Sequence, residues 1–238
     1  MPSKPPRYKR YAETTLAEYF KLSTVAELSP AHLPIPVKDI ADSHYRIYVG
    51  KSNSLAEKLP DSVQERWMNG ALSGLLLVGL KVKEIWVSAA EAERSQGRER
   101  FTIAHELGHF LMHTDESTSP SMISHFPKGK GGFFACQEED IHSATSRQKK
   151  WGKEAEANRF AAELLMPRQL VEKLFTSLTD LPACATTADR SAVPARADVS
   201  GSRAYQWKSS IPKMARVFNV SSEAMGIRLT QLGLLPVL

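Results

Sequence analysis

The spacing of apolar positions changes along this chain, and each change predicts an element. Residues 73–80 (SGLLLVGL) and 83–90 (KEIWVSAA) are short, continuous apolar runs, which predicts two strands buried on both faces. Residues 45–50 (YRIYVG) alternate and end at Gly50, predicting a third strand. Helical spacing or composition marks 12–28, 37–45, 97–114, 154–166 and 167–178, the last with Pro167 at its start. Pro30, Pro34 and Pro36 interrupt the chain between the first two of these, and the stretch 59–70 fits neither pattern. Residues 1–12 carry no core pattern and read as a disordered tail.

The C-terminal end has its own pattern. IPKMARVF (211–218) is a short amphipathic helix, NVS (219–221) a turn with Ser221 as N-cap, and 222–232 a second helix stopped by Gly233. This is a helix-turn-helix outline. A DNA-reading helix presents polar side chains outward, and here only Arg228, Thr230 and Gln231 offer them. Packing against the rest of the protein, or gripping a substrate, is therefore favoured over DNA binding. Residues 179–205 are poor in large apolar side chains and read as a linker or loop. The resulting organisation is 1–30, N-terminal tail and helix; 31–178, a catalytic domain; 179–205, linker; and 206–238, a C-terminal helical segment.

Composition narrows the setting. A chain of 238 residues, 42% hydrophobic, suffices for one good core. The longest apolar candidate for a membrane span, GALSGLLLVGL, is too short and is broken by glycine. The basic N-terminus lacks the apolar region of a signal peptide. Two cysteines, Cys136 and Cys184, both placed in loops, make a disulfide framework unexpected. These features predict a cytoplasmic protein without membrane segments. The net charge of +5 is a mild excess, concentrated in KPPRYKR and RQKKWGK, and reads as solvated tail and loop.

The chemistry lies in residues 105–109, His105-Glu106-Leu107-Gly108-His109, inside an apolar helix. Residues four apart share a helix face, so both imidazoles can point at one metal ion, with Glu106 beside them to act on a water. Two histidines and a glutamate are costly in an apolar helix unless something pairs with them. A catalytic zinc needs a third protein ligand. In the alanine-rich segment 154–166, Glu154, Ala157, Asn158 and Ala161 form one stripe, whose alanines allow close approach to another backbone. Glu156 lies on another stripe, with Phe160 and Glu163, so Glu154 is preferred. His113 extends the histidine stripe but sits a turn too far along to join the same ion. His125, His142 and Cys136 match no standard zinc spacing and read as loop residues. Tyr45 and Tyr48 are candidate oxyanion donors, with strand packing the preferred role. Gly108 is read as letting another backbone pass close to the metal helix.

GRERFTIAHELGHFLMH followed by EAEANRFAAELLMP resembles the ImmA/IrrE family of metallopeptidases. PVKDIADSHYRIYV and the C-terminal SSIPKMARVFNVSSEAMGIRLTQLGLL extend the resemblance over about Pro34 to Leu235. It implies a gluzincin-like, zinc-dependent endopeptidase of the cytoplasm that cleaves a helix-turn-helix repressor. It also implies Zn2+ held by His105, His109 and Glu154, the first residue of the E-x-x-A-N element, with Glu106 as general base. The expected fold is α+β and zincin-like, a small mixed sheet on the metal helix followed by helices. An extended substrate is expected to add to a sheet edge, with KEIWVSAA as the candidate strand. The competing class is a non-catalytic, zinc-containing regulator that binds DNA or a partner through its last helices. An intact Glu106 argues against it, because a structural site needs no base.

Overall fold

A computed structural model of the chain describes residues 4–61, 64–65, 72–79, 81–114, 132–137, 152–179 and 201–235. The elements are α1 (Arg7–Phe20), α2 (Val37–Asp39) continued by a π-helical turn (Ile40–His44), β1 (Tyr48–Ser52), β2 (Leu72–Val78), β3 (Lys83–Ser88), α3 (Ala89–Arg94), α4 (Gln96–His113), β4 (Gly132–Gln137), α5 (Lys153–Leu165), α6 (Arg168–Thr179), α7 (Gly201–Phe218) and α8 (Ser222–Gln231). The fold is α+β, with a four-stranded mixed sheet in the order β1-β3-β2-β4. β3 runs parallel to β1 and antiparallel to β2, and β4 runs antiparallel to β2.

The sheet presents two unlike faces. Leu76, Ile85, Val87 and Phe134 join the main core beneath α4, with Ile103 and Leu107 of that helix. Leu75 and Phe133 point the other way, into a small cluster with Leu55 and Leu59. β2 is thus covered on both sides, as its unbroken apolar run predicts. β3 departs from that expectation: Ile85 and Val87 are buried, while Glu84 and Trp86 are half-buried. Trp86 remains near the surface because its indole N–H donates to Glu84 and Lys58 sits over its ring. β3 is also an inner strand, flanked by β1 and β2, so it has no edge to offer a substrate.

The main core runs from one end of the described chain to the other. It takes in Ala12 and Leu16 of α1, Phe160 and Leu164 of α5, and Phe218, Met225 and Leu229 of the last two helices. The tail expected over residues 1–12 is shorter than that, because α1 begins at Arg7 and buries Ala12 in this core. At the other end α7 starts at Gly201, inside the predicted linker, and continues through Pro212. Residues 180–200 lie outside the described residues, as do Cys184, His125 and His142.

α7 and α8 are joined through residues 219–221, with Asn219 at positive φ and the Ser221 hydroxyl accepting from the Ala224 N–H as predicted. Arg228, however, is not on an outer face. It is buried, pairs with Glu163 of α5 at 2.7 Å and donates to the Met166 carbonyl at 3.0 Å. At the start of α4, Arg100 donates to the carbonyls of Asn219 and Ile35 and so ties three segments together. The C-terminal helices are packed elements of the domain. Among the described residues, no helix is long and apolar enough to cross a membrane.

Candidate metal centre

α4 and α5 cross at their smallest residues. A Cβ on Gly108 would come within 2.9 Å of the Phe160 ring and 3.3 Å of the Ala157 Cα. Glycine at this point, facing the fully buried Ala157, brings the two helices close enough to share one site. Three of the four groups that meet there come from this crossing: His105 and His109 of α4, and Glu154 from the first turn of α5. The fourth is Cys136 of β4, and the ligand atoms of all four lie within 4.8 Å of one another.

The distances fit a shared ion. His105 Nε2 and His109 Nε2 are 3.0 Å apart, and Glu154 Oε2 lies 3.1 Å from the first and 3.3 Å from the second. Tetrahedral zinc, with bonds of about 2.0–2.1 Å, holds its nitrogen and oxygen ligands roughly 3.3 Å apart. Cys136 Sγ is 3.2 Å from His105 Nε2 and 3.8 Å from Glu154 Oε2.

Supporting contacts aim the ring nitrogens. Asn158, one turn after Glu154, places Oδ1 2.8 Å from His105 Nδ1. An amide oxygen only accepts, so Nδ1 carries the proton and Nε2 is left with its lone pair. His109 is held by a longer chain. His113 Nδ1 is 3.1 Å from His109 Nδ1, and His113 Nε2 is 3.1 Å from Glu156 Oε2. The Glu156 carboxylate accepts from the Nε2–H of His113, so His113 Nδ1 accepts from His109, and His109 Nε2 again faces the site. Phe134 stacks on the His109 ring, with centroids 4.7 Å apart. Burial holds His113 below the usual histidine range, against the pull of Glu156, which keeps it in the neutral form this chain requires. Glu156 therefore supports the site from outside, while Glu154 enters it.

Burial is the largest single cause of shift at each group, but at two of them the neighbours together reverse it. It drives His109 down to about 4, against the pull of Glu154. At His105 burial acts in the same direction, but Glu154, Glu106 and Asn158 together outweigh it and raise the group. At Glu154 the two histidines overcome burial and hold the carboxyl well below the usual range.

Glu106 differs from all of these. It is fully buried, and neither carboxylate oxygen has a hydrogen-bond partner among the described residues. Burial pushes it up to about 7, opposed by His105 and by the Cys136 thiol, which lies near without meeting hydrogen-bond geometry. Its space is cut out of the sheet, since a Cβ on Gly74 of β2 would sit 2.5 Å from Glu106 Oε1. A buried, unpartnered carboxylate beside a cluster of metal-binding groups is a reactive arrangement, not a stabilising one.

The structure thus brings together His105, Glu106, His109 and Glu154, all singled out from sequence. It also places Cys136 among them, on a strand rather than in a loop. Phe134 and Cys136, two residues apart, share one face of β4 and meet the two histidines. The Tyr45 hydroxyl hydrogen-bonds Thr15 Oγ1, and Tyr48 is exposed beside Trp86.

Residues 83–230 match a peptidase family described as the IrrE N-terminal-like domain. The chain belongs to that family and so carries a metallopeptidase-type domain. A solved structure, a Mycobacterium tuberculosis transcriptional regulator, is similar at 16% identity over 94% of this chain and 46% of its own, with a TM-score of 0.45. The chain spans about half the length of that protein. No curated protein matches the chain.

Proposed function

We propose that the protein is a zinc-dependent endopeptidase in which His105, His109 and Glu154 hold the ion and Glu106 is the general base. The observation that carries this reading is Glu106: fully buried, without a hydrogen-bond partner among the described residues, and adjacent to the ligand cluster. Zinc, when bound, supplies the Lewis acidity that makes a water nucleophilic near neutral pH. The two nitrogens and one carboxylate suit it. Glu106 takes the proton from the attacking water and returns it to the leaving amine. Asn158 and the His113–Glu156 pair keep the two imidazoles turned inward.

The substrate we assign is a small helix-turn-helix repressor in the cytoplasm, as the family resemblance implies. β4 pairs only with β2 among the described residues, so its outer edge, next to the metal centre, is where an extended segment adds. The reading as a DNA-binding regulator loses its main support, because Arg228 is buried against Glu163.

Zinc-loaded Glu106→Gln protein, used as bait in cells, tests this reading. The amide preserves size and removes the base, so the variant should retain a repressor that the wild-type protein cuts. A wild-type protein that cleaves nothing its own trap retains would overturn the assignment.

A further inference from the structure

The described centre has one group more than hydrolysis needs. Three protein ligands and a vacant fourth position make a catalytic zinc site, whereas four protein ligands make a closed one. Cys136 Sγ, at 3.2 Å from His105 Nε2 and 3.8 Å from Glu154 Oε2, is close enough to the other three groups to be a fourth ligand. Glu106, the side chain that has to reach a water, lies beside the same thiol, and its fully buried oxygens have no partner among the described residues. The thiol and the water compete for one location.

The surroundings fit a closed state. His105, Glu106 and His109 are 0% exposed and Cys136 is 1% exposed, and of the groups that meet at the centre only Glu154 keeps some exposure, at 14% of its side chain. The group that closes the site is carried by β4, which among the described residues pairs with β2 alone. The pairing of those strands is irregular just there: Gly74 faces Cys136 and Leu72 faces Gln137, with a register shift between Leu72 and Gly74. Such an irregularity leaves a residue unpaired and disrupts the ladder locally.

We propose, building on the zinc-peptidase reading, that Cys136 is a displaceable fourth ligand whose thiolate blocks the water position and holds the resting protein latent. On zinc binding the S–H bond breaks, its proton leaves to solvent, and the sulfur–zinc bond forms. Activation reverses this: the sulfur–zinc bond breaks as β4 shifts, and the thiolate is reprotonated. A buried cysteine acting only as a small apolar filler makes no such bond.

X-ray absorption at the zinc edge of the full zinc-loaded chain tests the ligand. One sulfur at about 2.3 Å is expected, lost in Cys136→Ser with zinc content unchanged. Nitrogen and oxygen ligands alone in the wild-type protein would overturn the proposal and leave the peptidase reading standing. Absence of bound zinc would sink both. The cobalt-substituted protein tests latency, with acetohydroxamate as a small chelating probe. Its spectrum should stay unchanged on adding the probe, while that of Cys136→Ser should respond. An equal response in both overturns latency. If the serine variant fails to fold, Cys136→Ala replaces it, and the wild-type zinc-edge spectrum still decides the ligand.

Discussion

Asn158 Oδ1 accepts a hydrogen bond from His105 Nδ1 at 2.8 Å, and this one contact sets which nitrogen of His105 faces the metal centre. Asn158→Ala leaves the ring free to turn and to change tautomer. Metal affinity should fall about 10- to 100-fold, the usual loss when such a partner is removed. A competition titration with a chromophoric chelator measures this, and unchanged affinity would show that packing alone orients the ring.

Glu154 and Glu156 separate in the same assay. Glu154→Ala removes a group that lies 3.1 Å from His105 Nε2, so bound zinc should fall well below one per chain. Glu156→Ala only loosens the chain through His113 to His109, so zinc should remain bound with weaker affinity. Equal zinc content in the two variants would refute the assignment.

Gly74→Ala probes the space left for Glu106. The new methyl would sit 2.5 Å from Glu106 Oε1 and 2.6 Å from Thr102 Cγ2, so the carboxylate must move. Peptide cleavage should drop strongly while the zinc content stays at the wild-type level. A fully active variant would mean that Glu106 does not act from this position.

Arg228→Ala should destabilise the domain by about 3–5 kcal/mol, because it strands Glu163 as a buried, unpaired carboxylate. Denaturant unfolding reads the loss, and Glu163→Gln in the same background should restore part of it. A stability change near zero would place Arg228 in a solvated role after all.

In the metal-free protein, Glu106 gives folding a pH dependence. Its folded value, about 7, lies above the ordinary carboxyl value of 4.5. The folded state therefore holds the extra proton, and this contribution fades as pH rises from the carboxyl range through about 7. Glu106→Gln lacks the term. Its stability relative to wild type should rise by on the order of 3 kcal/mol over that window. A difference that is flat with pH would contradict the burial argument.

Much of this was legible in the residues. Helical spacing brought His105 and His109 together, and the Ala157–Ala161 stripe selected Glu154 over Glu156, because both follow from local geometry. The strands at Leu72–Val78 and Lys83–Ser88 followed from their apolar runs. Cys136 did not, because its nearness to His105 depends on how β4 pairs with β2, a long-range register that spacing does not encode. Arg228 misled for the opposite reason. A charged side chain on a surface-like helix reads as exposed until its partner, 65 residues away, is known.

The central claim is that one ion at His105, His109 and Glu154, together with Glu106, cleaves a protein substrate. The most direct test follows cleavage of the trapped repressor while zinc is titrated into chelator-stripped protein, for wild type and Glu106→Gln in parallel. Cleavage, by wild type or by the Cys136→Ser form freed of its fourth ligand, should appear with zinc and saturate at one equivalent per chain. Glu106→Gln should bind the same equivalent and remain inactive by roughly a hundredfold to ten-thousandfold. Zinc-independent cleavage, or a Glu106→Gln protein that cuts at the wild-type rate, would contradict the account.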